Sequence, residues 1–217
     1  MLLREWMTTD VITVLPQTSM MKAGTLLREH KFRRLPVVDE SGHLVGIVTD
    51  RDIKAASPSK ATALDVHELN YLLSEIKVAD IMTQNPFTVQ GCDTIQTASS
   101  IMLEKKFEGL PVVDESGRLI GIITESDLFR ALIQITGGNK GGLQVGLCLG
   151  SGLEELKRVM DIFQGHGVRV VSVLTTYTES DQCNVYIRAH VPGAEQEMQL
   201  RNELGKGREM LYWIKDK

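Results

Sequence analysis

The chain has 217 residues, of which 42% are hydrophobic and 24% charged, and its formal net charge is −4. This length is typical of one large or two modest domains. The hydrophobic content is that of a folded protein, and it excludes an intrinsically disordered chain. The small negative charge gives no overall attraction to nucleic acid or to an anionic membrane, so we expect neither as a partner.

Targeting and cross-linking signals are not apparent in the sequence. No run approaches the roughly 18 consecutive apolar residues of a membrane-spanning helix, and the start, MLLREWMTTD, lacks the apolar stretch of a signal peptide. The 3 cysteines are widely spaced without a C-x-x-C pair, which predicts reduced thiols rather than disulfides or a zinc cluster. We therefore expect a cytoplasmic protein.

The sequence LPVVDESG occurs twice, at residues 35–42 and at residues 110–117. Residues 7–53 align without a gap on residues 82–128, each position pairing with the one 75 further along, and 13 of the last 19 aligned positions are identical. Such agreement indicates an internal duplication. A repeat of about 50 residues is too small to bury an adequate core alone, so we expect the copies to pack together by pseudo-twofold pairing.

The first copy predicts the element order β-α-β-β-α. Ile12–Val14 is a short strand of β-branched residues, and Thr18 can cap the helix that follows. Strands at 35–38 and 44–48 flank the turn sequence DESG, and Thr49 opens a second helix. The second copy repeats this order with a strand at 87–89, a helix capped by Asp93, strands at 110–113 and 119–123, and a helix opened by Thr124.

Domain limits follow from the repeat and from composition. We place the first repeat at residues 1–60 and the second at residues 78–136, with leucines at helical spacing predicting a connecting helix over residues 61–77. The glycine-rich sequence GGNKGG at residues 137–142 is interpreted as a linker to a separate domain at residues 143–217.

The second helix of each copy starts with the sequence T-x-x-D, formed by Thr49 and Asp52 and by Thr124 and Asp127. One reading is structural, because the threonine hydroxyl can accept a backbone N–H and the acid complements the helix dipole. The other reading is a ligand site, because a helix N-terminus attracts phosphate and a carboxylate can accept two ribose hydroxyl hydrogen bonds. The two readings are compatible.

The C-terminal domain predicts the order β-α-β-β-α-β, which is ferredoxin-like. Its elements are strand 143–149, helix 153–163, strands 168–176 and 183–189, helix 194–204 and strand 210–214. The turn Gly150-Ser151-Gly152 can be a helix cap, and it is not a dinucleotide fingerprint because Glu155 stands where the third glycine would fall.

The two copies strongly resemble the tandem cystathionine-β-synthase (CBS) domain pair, or Bateman module, over residues 1 to 135. The motifs that carry the resemblance are LPVVD followed by GIVTDRD in the first copy and by GIITESD in the second. The resemblance implies an α/β (α+β) fold without catalytic chemistry and an adenine-containing ligand in the cleft between repeats. AMP, ADP, ATP, NAD and S-adenosylmethionine share the adenine and ribose that these motifs recognise, so the choice among them stays open.

The same resemblance implies roles for the T-x-x-D residues. Asp52 and Asp127 match the acid that binds ribose, and Thr49 and Thr124 match the hydroxyl on the phosphate side. Two candidate sites result. The adenine is expected against apolar residues, which are Ile12, Val14, Leu35 and Pro36 in one copy and Phe87, Val89, Leu110 and Pro111 in the other.

Basic residues distinguish the two copies. Arg33 and Arg34 precede the LPVV strand of the first copy, where the second copy has Glu108 and a glycine. In similar modules, basic residues at this place reach phosphates at the cleft whose acid comes from the other repeat, which assigns Arg33 and Arg34 to the ligand of Asp127. Arg51 is a further phosphate candidate. Alternatively, these cations are a solvated helix end that complements the dipole.

The C-terminal order and the sequence GVRVVSV resemble the ACT domain, a small-molecule sensing and dimerising module. In that family amino acids bind at the turn after the first strand, which here is residues 150–152. A CBS pair followed by an ACT-like domain resembles the bacterial acetoin-utilisation accessory protein family. Both modules imply a homodimer.

The function that we expect is a non-catalytic regulator, in which an adenine nucleotide biases dimer geometry or the contact with an unknown protein target. The alternative is a structural dimerisation module with vestigial clefts. An enzyme is not expected, because the sequence contains no H-E-x-x-H, P-loop, nucleophile elbow or zinc spacing. We predict neither a catalytic cofactor nor a metal site.

Overall fold

The structure is a computed structural model that describes residues 1–57, 75–150, 153–179 and 182–216. It consists of two compact units, Met1–Leu128 and Phe129–Lys217. Most of the connecting helix predicted at 61–77 lies outside the described residues, as do Ser151 and Gly152 of the predicted turn.

The first unit contains the two repeats as far as Leu128, which lies in the last helix of the second repeat, and each repeat includes an antiparallel hairpin. The elements of the first repeat are α1 (Met20–Glu29), β1 (Arg34–Val38), β2 (Leu44–Thr49) and α2 (Asp50–Ala56). Those that follow are α3 (Val78–Ile81), β3 (Thr83–Gln84), β4 (Val89–Gln90), α4 (Ile95–Lys105), β5 (Gly109–Val113), β6 (Leu119–Thr124) and α5 (Glu125–Ile135). The hairpins share one register, with Leu35 opposite Val48 and Leu110 opposite Ile123.

The leading strand of each repeat is shorter than predicted. Ile12–Val14 contributes a single parallel bridge, from Val14 to Val37, and the strand predicted at 87–89 is Val89–Gln90. The register gives the reason: a longer ladder would need the N–H of Pro36 for Ile12, and proline has none. Pro111 imposes the same limit on the second repeat.

Helix α1 begins one residue later than predicted. Its cap is Ser19, whose Oγ accepts a first-turn N–H at 3.3 Å, whereas Thr18 Oγ1 accepts the N–H of Leu15 at 3.1 Å. The second repeat shows the same shift, with Thr94 as the cap and Asp93 in the preceding turn. Short side-chain oxygens suit both places, so composition alone does not choose between them.

The segment that leads each repeat pairs with the other repeat. Lys77 bridges Ser19, and β3 joins β2 as the third strand of the first sheet. In the same way Leu2 bridges Thr94, and Thr8 bridges Ile122 of β6. The bridges of the two repeats differ by 75 residues at every position, so the exchange follows a pseudo-twofold axis and neither repeat is complete without the other.

The core of the first repeat reflects this exchange. It consists of buried apolar residues from the short leading strand at 12–14, from α1, β1 and β2, and from α3: Val14, Ala23, Leu27, Leu35, Val37, Val48 and Val78. Val78 comes from the segment that leads the second repeat. Burial of such side chains is the main favourable term in folding, so the two repeats are expected to unfold together.

Gly121 of β6 lies in close contact with Met7 and Thr8 of the exchanged segment. A Cβ at this position would lie 2.6 Å from Met7 Sδ and 3.0 Å from the backbone oxygen of Thr8. We expect Gly121→Ala to lower the free energy of unfolding by about 1–3 kcal/mol, measured by chemical denaturation. Gly165→Ala is the control, because a Cβ there meets no atom within 4 Å. Equal stability of both variants would contradict this packing.

The second unit has one sheet and two helices. Its elements are β7 (Leu143–Leu149), α6 (Leu153–Gly165), β8 (Arg169–Tyr177), β9 (Cys183–His190), α7 (Ala194–Leu204) and β10 (Glu209–Lys215). All neighbouring strands are antiparallel, in the order β10-β7-β9-β8. Alternate residues of β7 and β9 are buried with Phe163, Leu200 and Leu204, so one face of the sheet forms the core with both helices.

The segment interpreted as a linker, residues 137–142, packs within the second unit. A Cβ on Gly137 would lie 2.4 Å from Val171 Cγ1, and Arg188 Nη1 donates to the oxygen of Gly141 at 3.3 Å. The division between the compact units falls earlier, within α5. The positive φ angles of Gly137, Gly141 and Gly142 explain the glycines.

Candidate ligand-binding site

Both T-x-x-D motifs cap the helix that they open. Thr49 N and Oγ1 donate to Asp52 Oδ2 at 2.8 and 2.7 Å, and Asp52 N donates to Thr49 Oγ1 at 3.2 Å. Thr124 N and Oγ1 donate to Asp127 Oδ2 at 2.9 and 2.7 Å. The structural reading is therefore present in full at Thr49, whose hydroxyl accepts a backbone N–H, and in the second copy through the carboxylate of Asp127, which accepts the N–H of Thr124. It leaves the ligand reading possible, since a carboxylate has about four acceptor positions on two oxygens.

The two acids differ in burial. Asp127 is 3% exposed and is a buried charged residue, whereas Asp52 is half-buried. A buried carboxylate is stable only when it is hydrogen-bonded, and the Thr124 bonds meet part of this need. Equivalent positions therefore have different environments, and a ligand would meet different surroundings at each.

Three arginines of the first repeat converge on Glu108 of the second. Arg33 Nη1 and Arg34 Nη2 donate to Glu108 Oε2 at 3.2 and 3.0 Å, and Arg51 Nη2 lies 3.6 Å from Oε1. Arg34 Nη1 also donates to the backbone oxygen of Gly109 at 3.1 Å. The Arg34 side chain is 15% exposed and is the most buried of the three.

These contacts join equivalent positions of the two repeats, since Glu108 follows Arg33 by 75 residues and Gly109 follows Arg34 by 75. Residues that touch their own counterparts lie next to the pseudo-twofold axis. The arginine cluster therefore lies between the two T-x-x-D motifs, where a side chain from one repeat can reach the other.

Arg34 connects the two motifs. Its backbone lies opposite Thr49 in the first hairpin, and its guanidinium contacts Gly109, which lies opposite Thr124 in the second. The guanidinium thus reaches the residue that pairs with the end of β6, the strand that leads into the helix of Asp127. The expectation that arginines of the first copy serve the cleft of Asp127 agrees with this placement and stays a prediction.

Electrostatics support a stable cluster. The hydrogen bond from Arg33 and the charges of all three arginines lower the pKa of Glu108. Burial lowers the pKa of Arg34, and the charges of Glu108 and Glu125 oppose that effect. Arginine stays protonated in proteins, so these are interactions between permanent charges at neutral pH.

The positions expected to meet adenine are mostly interior. Val14, Pro36, Val89 and Pro111 are buried, and Ile12 is half-buried. Phe87, at the position equivalent to Ile12, is instead 55% exposed, with its ring centroid 5.7 Å from that of Phe107 and 5.8 Å from Lys105 Nζ. An exposed ring of this kind can stack on a planar base.

Glu108 is the residue whose role sequence reasoning missed. The alignment shows an acid where the first copy has Arg33, but it does not show that the two side chains meet. The signal was the opposite charge at equivalent positions of a symmetric repeat, which becomes informative only once the position of the axis is known.

Within residues 1–57, 75–150, 153–179 and 182–216, no group of three or more His, Cys, Asp or Glu side chains could hold a metal ion. Among the same residues no helix is sufficiently long and apolar to cross a bilayer.

Solved structures similar to this chain include ligand complexes. CBSX2, a protein of Arabidopsis thaliana solved in complex with AMP, is 39% identical, with a TM-score of 0.52 over 62% of this chain and 97% of that one. The CBS domain pair of protein MJ0100, in complex with 5′-methylthioadenosine and S-adenosylmethionine, is 29% identical, with a TM-score of 0.51 over 64% and 98%. A Vibrio cholerae protein assigned to acetoin utilization is 26% identical, with a TM-score of 0.54 over 64% and 96%.

Similarity also extends to a much longer protein. The inosine-5′-monophosphate dehydrogenase of Korarchaeum cryptofilum is 43% identical over 120 residues, which are 55% of this chain and 22% of the enzyme. The match therefore concerns a part of that protein.

The family model for the CBS domain matches residues 3–59 and residues 78–134, together more than half of the chain. Each match covers one repeat together with the segment that leads it. The predicted tandem pair is confirmed. The chain belongs to the CBS-domain family and carries two CBS domains.

Proposed function

We propose that this chain is a non-catalytic sensor that binds an adenine nucleotide where helix α5 begins, with the ribose on Asp127 and the phosphate beside Arg33 and Arg34. The observation that carries the proposal is the Arg34 guanidinium, which crosses from the first repeat to the backbone oxygen of Gly109 in β5, the residue paired with Thr124 at the end of β6. In the proposed site a fixed cation, a helix N-terminus and a carboxylate would act together, which is the chemistry that a nucleoside phosphate needs.

The related structures support an adenine ligand, since AMP occupies CBSX2 and methylthioadenosine with S-adenosylmethionine occupies MJ0100. In this chain the exposed ring of Phe87 offers a stacking surface, and the buried apolar residues Val14, Pro36, Val89 and Pro111 would line the adenine. ADP, ATP and NAD share the same adenosine and belong to the same proposal. Thr49, Arg51 and Asp52 would form the second, weaker site.

The C-terminal unit is proposed to be an ACT-like domain. Its strand order β10-β7-β9-β8 places the first strand beside the last and the third, which is the ferredoxin-like arrangement of β-α-β-β-α-β. Such a unit would bind an amino acid or another small metabolite and would support a homodimer. We place the protein in the cytoplasm and in the acetoin-utilisation accessory family, with an unknown protein target.

A second candidate function is a structural dimeriser with vestigial clefts. One observation favours it: both threonine hydroxyls already donate to their aspartates, and the arginines already pair with Glu108. In that case the T-x-x-D motifs would serve only as helix caps.

Isothermal titration of the purified protein with AMP, ATP, NAD and S-adenosylmethionine separates the two functions. The sensor predicts saturable heat with at least one of these ligands and a rise in melting temperature, because a ligand that binds only the native state stabilises it. No heat and no thermal shift with all four would favour the structural dimeriser.

A further inference from the structure

Glu108 is held by more cations than a surface carboxylate usually meets. Its Oε2 accepts hydrogen bonds from Arg33 and Arg34, its Oε1 faces Arg51 at 3.6 Å, and its side chain remains 33% exposed. All three partners belong to the first repeat, whereas Glu108 belongs to the second. The carboxylate therefore occupies the point where three guanidinium groups of the other repeat converge.

We propose that Glu108 is an internal competitor for the ligand's phosphate and thereby sets how strongly the site prefers charged over neutral adenine ligands. The proposal rests on the proposed function, since it concerns the same cleft. A carboxylate and a phosphate use the same guanidinium donors. A phosphate that approaches Arg33 and Arg34 must displace Glu108 or bind beside its negative charge.

Both routes make Glu108 unfavourable for a phosphorylated ligand. Displacement breaks the bonds at 3.2 and 3.0 Å, although the exposed carboxylate can turn into water. Binding beside Glu108 instead places two anions within a few ångströms of each other. A neutral ligand such as adenosine encounters neither effect. The wild-type cleft therefore discriminates less between AMP and adenosine than Arg33 and Arg34 alone would suggest.

The repeat explains how one copy acquired this control. The position of Glu108 is the counterpart of Arg33, so the two residues meet beside the axis with opposite charges. Were both positions arginine, the two cations would repel each other there. The acid thus keeps the cluster together without ligand and reduces its net positive charge.

The test is a titration of the full chain with AMP and with adenosine, using wild type, Glu108→Gln and Glu115→Gln. Glu115 is an exposed acid in the DESG turn, so its variant makes the same change in net charge away from the arginines. We expect Glu108→Gln to bind AMP about tenfold more tightly and adenosine within about twofold of wild type. Glu115→Gln should change neither affinity by more than about twofold.

Three outcomes decide the matter. AMP binding that is unchanged or weaker in Glu108→Gln, with adenosine unchanged, would overturn the role of Glu108 and leave the sensor function in place. Absence of binding of both ligands to all three proteins would overturn the sensor function and this inference with it. If Glu108→Gln fails to fold, as judged by its thermal unfolding, Glu108→Ala must give the same gain for AMP, and failure of that gain rejects the proposal.

Discussion

Replacing Asp127 by Asn is expected to weaken AMP binding by about tenfold to a hundredfold, the loss associated with hydrogen bonds to a charged group. The carboxylate would accept two ribose hydroxyls, whereas an amide whose one oxygen stays on the helix cap presents only an NH2 group to the ribose. The amide oxygen can still accept the N–H of Thr124, so the helix cap is largely preserved. Calorimetry gives the affinity, and thermal unfolding shows whether the fold is retained.

The internal repeat supplies a matched control, Asp52→Asn. This variant removes the same charge and disturbs the same capping bonds, to Thr49, at the equivalent position. Since the guanidinium of Arg34 points toward the second repeat, we expect Asp52→Asn to change AMP affinity by less than about threefold. The reverse result, with Asp52 essential and Asp127 dispensable, would place the ligand in the other cleft.

Replacing Arg33 and Arg34 together by Gln is expected to lower AMP affinity by about tenfold to a hundredfold while adenosine affinity stays within about threefold. Two cations that face the phosphate are removed, and the negative charge of Glu108 remains beside it. Adenosine lacks the phosphate and should be insensitive. The measurement is the ratio of the two dissociation constants.

The control for the arginine pair is the double variant Lys157→Gln with Arg158→Gln. Both residues are exposed on helix α6 of the second unit, so the same two charges are lost without a change in the cluster. An equal loss of AMP affinity in this control would show that the loss seen without Arg33 and Arg34 is due to the change in overall charge. Retained preference for AMP after removal of Arg33 and Arg34 would limit them to their ion pairs with Glu108 and reject their role in phosphate binding.

The element order of the repeats could be predicted because duplication doubles the signal. Each hairpin appears twice with the same apolar residues and the same DESG turn, and β1, β2, β5 and β6 follow the predicted strands closely. The leading strands could not be placed correctly, because their length depends on the missing N–H groups of Pro36 and Pro111 in the partner strand. A pairing rule of this kind acts between segments that are distant in sequence.

The exchange of leading segments was also hidden from the sequence. Nothing in residues 2–8 or 77–84 indicates which sheet they join, since both repeats present equivalent edges. What the sequence does contain is Gly46 and Gly121, at equivalent positions, where a side chain would collide with Met82 or Met7. The reason for these two glycines becomes visible only in the folded structure, where the exchanged segment packs against them.

The site was predicted in its parts rather than in its arrangement. T-x-x-D predicts the hydroxyl cap of Thr49, which accepts the N–H of Asp52, because that bond joins residues three apart. The pattern does not by itself predict the bonds from both threonine hydroxyls to the aspartate carboxylates. The arginines could be read from sequence as phosphate ligands or as a solvated surface. The structure adds Glu108, which pairs with them across a 75-residue separation. Local chemistry is thus readable from the sequence, and charge pairing across the axis is not.

A crystal structure of the chain with AMP tests the central proposal most directly. We predict the ribose hydroxyls within hydrogen-bond distance of the Asp127 carboxylate and the phosphate on Arg33 and Arg34, with Glu108 turned away from them. AMP bound at Asp52 instead, or outside both T-x-x-D motifs, would contradict the proposed site.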